Sequence, residues 1–390
     1  MKAKIIITLA AICAVGDTLA QGIDSVLNCI ERNNLELKAL KKECEAGCLE
    51  IESQNNLEDP SVEYSPFFNK AVGGIASSEL VVSQSFDFPT VYAARNKSER
   101  LQQEVLTQQY MTARRDILFG AKTLCLDLIM QNRKKKLLEK RGDNAAKLLQ
   151  TYEKRFKDGN ASILEVNKIK MDLMNVRTEM AQAEAERLAT LNSLAALNGN
   201  SPLPADSMDY PTLPAASDED LYRNAITTDN DIRTAMASAK ASEQDVKLNR
   251  QNWIPKLQVG YRRNTDGSDA SNGFLVGATF PLFSSRNKTK AAKAKLENAR
   301  LTLENAKATA ESAAKSKLQQ MKQLRMAAGS YDVDMMEQTL RLLGKAVESG
   351  QISIVEYYSE ADAIYRNLQS YIETERQYHG IVADLCKNDI

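Results

Sequence analysis

The chain has 390 residues, with 51 basic and 51 acidic side chains, a formal net charge of zero and a single histidine. This length suits two or three ordinary domains, and the neutral balance argues against a nucleic-acid partner, which usually leaves a basic footprint. The sequence offers no Ser/His/Asp set around its only histidine, His379, no metal-ligand cluster and no Gly-rich phosphate loop. We therefore expect no enzyme, no cofactor and no metal site.

The N-terminus has the pattern of a secretory signal. Two lysines precede an apolar run from Ile5 to Val15, and small residues end at Ala20. The run is too short to remain as a membrane span, so residues 1–20 are predicted to be a signal peptide and the protein to be exported. Lipidation of Cys13 is the alternative, but Ile12 stands where a small residue is normally required.

The rest of the chain contains an internal sequence duplication. Segment 156–165 returns about 190 positions later as 347–356, with four residues in register: Gly159, Ser162, Ile163 and Glu165 match Gly350, Ser353, Ile354 and Glu356. A duplication of this length means that one structural unit is used twice. We predict a first repeat at 21–200, an equatorial linker at 201–220 that is rich in Pro and Asp, and a second repeat at 221–390.

Each repeat is predicted to contain a helical hairpin. Residues 90–201 and 282–390 contain no proline, and proline is the residue that breaks helix interiors. We expect the turns at the two glycines, long helices at about 92–157 and 284–348, and shorter ones at about 24–56, 162–198, 217–252 and 353–387. Apolar heptads such as Val166, Leu173 and Met180 indicate supercoiled helices, in a wall or in an ordinary long bundle.

Between the helices, apolar and polar residues alternate with period two, which predicts four strands of about ten residues. Examples are Leu257, Val259 and Tyr261 in the second repeat; Gln84 interrupts the apolar side in the first. The segments 69–78 and 264–272 are expected to be surface turns. Strands with one apolar face in an exported protein suggest an outer-membrane β-barrel that other copies of the chain complete. Trp253, Tyr64 and Tyr261 suit its aromatic girdle, although lone aromatics also serve in packing.

These residues resemble the TolC-like outer-membrane efflux protein family over almost the whole mature chain. The resemblance rests on Asn252–Leu257 before the third strand, on Phe280–Phe283 followed by an Ala- and Lys-rich helix, and on the paired Gly-x-x-Ser-x-x-Glu turns. It implies a mainly α fold with a small β part: helical hairpins form a periplasmic α-barrel, and four strands per chain contribute to a trimeric 12-stranded transmembrane β-barrel.

The resemblance also implies partners and a place of action. The chain would form a homotrimer in the outer membrane of a Gram-negative bacterium, in contact with its lipid. It would work with a periplasmic adaptor and an inner-membrane transporter, in a tripartite efflux or type I secretion system. The turns would be the adaptor-docking tip, through Gly159, Ser162, Gly350 and Ser353. Some family members carry a basic latch residue two positions after the second turn glycine; this chain has Ile352, so an apolar contact is expected instead.

Two turn carboxylates have competing interpretations. A threefold axis would turn Glu356 into a ring of negative charge at the periplasmic entrance, and Glu165 would add a second ring or pair with Lys168. Both could instead be helix-capping or solvated acids.

A periplasmic adaptor or a coiled-coil stalk remains an alternative for the whole chain, but an adaptor needs one hairpin and a lipoyl domain, and a stalk explains no strands.

Among the cysteines, Cys44 and Cys48 share a helix face where a disulfide would be strained. Cys29 and Cys386 align with alanines and are expected to be buried.

Overall fold

The computed structural model describes residues 22–69, 73–203, 208–212, 217–283 and 286–390. The predicted signal peptide at 1–20, including Cys13, lies outside the described residues, as do parts of the predicted linker. The chain divides into two compact units. We call them the turn unit, which comprises the described parts of the chain up to Asn34, Ala121–Pro214 and Ala327–Gly380, and the sheet unit, which comprises Leu35–Gly120, Ala215–Met326 and Ile381–Ile390.

The helices follow the same order in both halves of the chain. In the first half they are α1 (Ile23–Asn33), α2 (Leu35–Ser53), α3 (Pro89–Lys157) and α4 (Ile163–Leu197). In the second half they are α5 (Asp218–Thr227), α6 (Asn230–Asn249), α7 (Lys288–Gly329), α8 (Val333–Ser349) and α9 (Ile354–Leu385), followed by a 3-10 turn at Lys387–Asp389. None of the helices among the described residues combines the length and the apolar character that crossing a bilayer requires.

Helix α3 confirms the long helix expected at 92–157, with 69 uninterrupted residues. Its only proline, Pro89, stands at the first helical position, where the missing N–H has no intrahelical partner to lose. The other long helix was predicted wrongly. The segment 284–348 is divided into α7 and α8, because Asp332 accepts a hydrogen bond from the Met335 amide at 2.8 Å and starts a new helix.

Two of the shorter predicted helices are also divided, and capping residues again explain the breaks. Asn34 leaves the helical conformation between α1 and α2, and its side-chain amide donates to the Leu197 carbonyl oxygen at 2.9 Å. Asp229 starts α6 by accepting from the Ile232 amide at 2.9 Å. Polar side chains that bond the backbone compete with helix continuation, and apolar periodicity does not register this competition.

The four predicted strands form one antiparallel sheet in the order β1-β2-β3-β4. The strands are β1 (Ser61–Asn69), β2 (Gly74–Phe86), β3 (Lys256–Asp266) and β4 (Asp269–Thr279). They extend into the segments expected as loops, so that Gly267 and Ser268 alone join β3 to β4. Gly267 has a φ of +56°, which a two-residue hairpin loop requires and glycine supplies without a steric cost.

The strand register places most of the apolar residues of the four strands on one face, with Phe67, Val81 and Leu275 as exceptions. Directly paired residues share a face, and the rows run Val62–Val82–Tyr261–Phe274 and Phe86–Leu257–Ala278. The opposite face carries mainly small and polar residues, as in the row Ser61–Ser83–Gly260, which ends at Leu275 on β4. Gln84 lies on the apolar face, where its side-chain amide donates to the Glu58 carbonyl oxygen. The sheet is therefore amphipathic across its whole width.

In the turn unit, the ends of α3 and α4 pack with α8 and α9 around a shared core. Its buried members are Leu137, Leu148, Tyr152, Val166, Ile169, Met336, Val347, Ile354, Tyr357, Tyr358, Ala361, Tyr365 and Leu368. Next to this core, the Arg141 guanidinium donates to Asp172 at 2.6 Å and to Asp362 at 2.8 Å. Because Asp172 is buried, this arginine supplies the positive charge that its carboxylate needs.

Truncation of Ile354 should destabilise the turn unit. Ile354 is completely buried, whereas its neighbour Val355 is 66% exposed. We expect Ile354→Ala to lower the free energy of unfolding by about 2–5 kcal/mol because it leaves a core cavity. Val355→Ala, the matched control, should stay within about 0.5 kcal/mol of the wild type. Denaturant unfolding followed by circular dichroism measures both; equal effects of the two variants would contradict this core assignment.

Candidate docking turns and membrane face

The first turn joins α3 to α4 through a left-handed glycine. Gly159 has a φ of +74°, and the Asn160 amide donates to the Arg155 carbonyl oxygen at 2.7 Å, which closes the end of α3. A residue with a Cβ would be strained in this conformation, although no atom lies within 4 Å of where that Cβ would stand. The backbone conformation thus accounts for this glycine, and the space around it is open.

The second turn, between α8 and α9, repeats this geometry. Gly350 has a φ of +76°, and a Cβ at this position would again have no atom within 4 Å. The Gln351 amide donates to the Ala346 carbonyl oxygen at 2.9 Å, as the Asn160 amide does in the first turn. The sequence match between the two segments therefore corresponds to one backbone conformation used twice.

Each turn is followed by the same capping box. Ser162 accepts from the Glu165 amide at 3.2 Å, while the Ser162 amide donates to the Glu165 carboxylate at 2.7 Å. In the second turn, Ser353 and Glu356 make the equivalent pair at 3.2 Å and 2.8 Å. Reciprocal bonds of this kind satisfy two amides that the first helical turn otherwise leaves unpaired.

The capping boxes bear on the two interpretations of the turn carboxylates. The backbone and side chain of Ser353 hold the pKa of Glu356 below its ordinary value, because their hydrogen bonds favour the carboxylate form. Glu165 is engaged by Ser162, and Lys168 instead lies over the Tyr358 ring, 5.6 Å from its centroid. Both acids thus have a capping role, and neither role prevents three copies from forming a ring of charge.

The structure brings the two turns into contact with each other. The Arg155 guanidinium, at the end of α3, donates to the Glu348 carbonyl oxygen at the end of α8. Ile352, where an apolar contact is expected from the sequence, packs against the core of the turn unit. The apolar contact expected at Ile352 is therefore present, and the two hairpin ends form one continuous surface.

In the sheet unit, the three predicted girdle aromatics lie at or beside the apolar face. Trp253 is 72% exposed and stands just before the start of β3. Tyr64 pairs with Leu80 on β2, and the Tyr261 hydroxyl donates to Asn272 near the β3–β4 turn at 2.6 Å. Register places both tyrosines near the middle of their strands, Tyr64 opposite Leu80 and Tyr261 opposite Val82, whereas Trp253 lies just outside β3.

The Arg141 network was not predicted from the sequence. The signal was present: Asp172 stands three residues after Ile169 and four before Val176, on the buried stripe of α4. A carboxylate on such a stripe requires a buried cation, but the sequence does not say which of the 51 basic residues supplies it. A second unpredicted cluster stacks Tyr210 on His379 with ring centroids 4.2 Å apart, and Arg133 lies 4.6 Å from the Tyr210 centroid.

Several solved structures share this fold. A membrane protein from Pseudomonas aeruginosa superposes with a TM-score of 0.75 at 16% identity, covering 94% of this chain and 93% of that one. The CmeC outer membrane channel of Campylobacter jejuni superposes with a TM-score of 0.75 at 14% identity, covering 94% of this chain and 85% of that one. The outer membrane protein VceC of Vibrio cholerae superposes with a TM-score of 0.75 at 14% identity, covering 94% of this chain and 95% of that one.

Sequence comparison identifies the family. No curated protein sequence matches the chain significantly. The sequence profile of the outer membrane efflux protein family, in contrast, matches residues 53–200 and 221–387, which is most of the chain. This match confirms the resemblance to TolC-like proteins, the mainly α fold with a small sheet, and the outer-membrane location. The chain therefore belongs to the outer membrane efflux protein family, whose members are exit ducts of the outer membrane.

Proposed function

We propose that three copies of this chain assemble into an outer-membrane duct that receives substrates from a periplasmic adaptor and an inner-membrane transporter. The observation that carries this proposal is the four-stranded sheet, whose one apolar face is exposed along its whole width. Among the described residues, side chains of this face such as Val62, Phe274 and Val276 remain exposed, and a closed barrel in lipid needs such a face on its outside.

The open edges of the sheet support assembly through strand pairing. Among the described residues, β1 and β4 each pair on one side only. Exposed strand edges promote association, and closure into a barrel removes them. If β4 of each copy pairs with β1 of the next, three copies supply twelve strands, an even number within the range of outer-membrane barrels.

A charge on the apolar face should impair this assembly. Val276 of β4 is 83% exposed on that face, and its neighbour Leu275 points to the opposite, polar face. Val276→Lys should cost about 2–4 kcal/mol if the residue lies near the bilayer midplane. We expect the wild type to run as a heat-sensitive oligomer in detergent extracts of outer membranes, and the variant to yield far less of it.

Leu275→Lys is the matched control, because substitutions that face the lumen of a barrel are tolerated. It should insert and assemble like the wild type. A wild-type chain that dissolves as a monomer without detergent would overturn the proposal. Equal loss of oligomer in both lysine variants would instead contradict the assignment of the two faces.

For the turn unit, we propose that the two glycine turns are the periplasmic surface to which the adaptor docks. The space around both glycines is open, and the Arg155–Glu348 contact combines the turns into one surface. Ser162 and Ser353 contribute by fixing where α4 and α9 begin, so that the turn backbones stay in one conformation. A rigid surface loses little conformational entropy when a partner binds.

Bulk at Gly350 should block docking without preventing assembly. Gly350→Phe is expected to abolish export, measured as restored sensitivity to a substrate of the pump, while the heat-sensitive oligomer persists. Gly350→Asn is the matched control, because asparagine tolerates the left-handed conformation better than other non-glycine residues. It should retain most export. Loss of the oligomer in Gly350→Phe would show that this glycine is structural.

We further propose that Glu356 acts twice, as a cap and as one member of a threefold ring of negative charge. Because its folded-state pKa is lowered, the charged cap stabilises α9 at neutral pH, and this contribution disappears as the pH falls through the folded-state pKa. Glu356→Gln should therefore speed amide exchange in the first turn of α9 at pH 7, and the difference from the wild type should vanish in acid.

The ring has a separate readout in the conductance of the assembled channel. Glu356→Gln should reduce its preference for cations over anions, whereas Glu360→Gln, an exposed acid one turn further along α9, should change it less. If amide exchange changes but ion selectivity does not, the capping role of Glu356 is supported and the charge ring is contradicted. If amide exchange at pH 7 does not change, the charge-dependent cap is contradicted.

A further inference from the structure

Two cysteines of the sheet unit form a pair that the duct function does not use. The free cysteines among the described residues are Cys29, Cys44, Cys48, Cys125 and Cys386. Cys44 and Cys48 lie four residues apart on α2, and both are half-buried. The expectation that Cys29 and Cys386 are buried was wrong, because Cys29 is exposed and Cys386 is half-buried.

Helix geometry keeps these two thiols close but disfavours a disulfide between them. Residues four apart on a helix have Cβ atoms about 5–6 Å apart, whereas a disulfide requires a Cβ separation of about 3.5–4.5 Å. Both cysteines are free thiols in the structure. A bond between them would distort α2, so the pair is suited to remain a dithiol.

The packing of α2 against α3 holds the pair in a fixed setting. A Cβ on Gly47 would meet the Leu106 side chain at 2.9 Å, so the two helices approach closely beside Cys48. Gln103 of α3 donates to the Cys48 carbonyl oxygen at 3.4 Å and to the Glu52 carboxylate at 3.0 Å. These contacts restrain the helix turn that carries both sulfur atoms.

The surroundings of Cys48 favour a bound cation. Glu52 lies one helical turn beyond Cys48, on the same side of α2, and its negative charge attracts a cation to the pair. Such an ion must displace the thiol protons when it binds.

We propose that Cys44 and Cys48 form a two-thiolate binding site for a soft monovalent cation, Cu(I) or Ag(I). Soft sulfur ligands select Cu(I), and two sulfur atoms suffice for its near-linear coordination. With metal–sulfur bonds of about 2.3 Å, as in zinc thiolates, such an ion spans sulfur atoms about 4.6 Å apart. That span suits neighbours on one helix face, whereas Zn²⁺ takes four ligands. This site goes beyond the proposed duct function.

The test is metal binding by the purified protein in detergent, after reduction and removal of metals. Cu(I) is supplied from a chromogenic chelator that competes for it, and the bound metal is counted per chain. We expect one tightly bound Cu(I) per chain, with release of protons on binding and therefore stronger binding at higher pH. X-ray absorption of the bound copper should show sulfur neighbours only.

Cys44→Ser and Cys48→Ser should each weaken binding by more than the roughly 10–100-fold that loss of an outer-shell partner typically costs. Cys29→Ser, which removes an exposed cysteine outside the pair, is the matched control and should bind like the wild type. Circular dichroism and the heat-sensitive oligomer show that each variant is folded, and these readouts do not depend on export.

Three results would overturn the proposal. One is an absence of tight Cu(I) binding by the reduced wild-type protein. Another is binding that survives both serine substitutions. The third is a Cys44–Cys48 disulfide, found by mass spectrometry after membranes are isolated in the presence of an alkylating reagent, because a dithiol site requires free thiols in the protein as it exists.

Discussion

The rest of the structure depends on the alternation of side chains in four short strands. Their antiparallel register places Val62, Val82, Tyr261 and Phe274 in one row, and most apolar side chains of the strands share that face. A slip of one residue in any pairing would turn that strand's apolar side chains to the polar face. The register therefore decides whether the sheet can be covered by lipid on one side and water on the other. Membership of an outer-membrane family agrees with this division of the two faces.

In the turn unit, local backbone conformation and capping hydrogen bonds fix the shape of the two hairpin ends. Its two hairpin ends use left-handed glycines, followed by capping boxes that fix the first turn of α4 and of α9. Behind the turns, four helices share one apolar core, and Arg141 bonds to carboxylates on α4 and α9. A half-buried arginine between two acids is costly to desolvate, but its directional bonds restrict how three helices can be aligned. These features suit a surface whose shape must be the same in every copy.

Capping residues set the lengths of the helices as much as apolar patterning does. Asp332 starts α8 within a segment whose composition favours one continuous helix, and Asp229 does the same for α6. Polar capping residues thus act at the two glycine turns and at the α1–α2 and α5–α6 breaks, which both halves share, and at the α7–α8 break, which only the second half has. One short polar side chain, Asp332, therefore accounts for a difference between two otherwise similar halves, with little change in apolar periodicity.

The sequence alone determined the family, the existence of the four strands and the position of both hairpin turns. These follow from local rules: period-two alternation, the absence of proline over long stretches, and the repeated Gly-x-x-Ser-x-x-Glu segment. Only the tertiary structure decided that Arg141 bonds to Asp172 and Asp362, that Arg155 reaches the Glu348 carbonyl oxygen, and that Gln84 is satisfied by Glu58. Each of these contacts joins residues far apart in the chain. Periodicity states which side of a helix or strand is buried, but the partner of a buried polar group depends on which elements become neighbours in space.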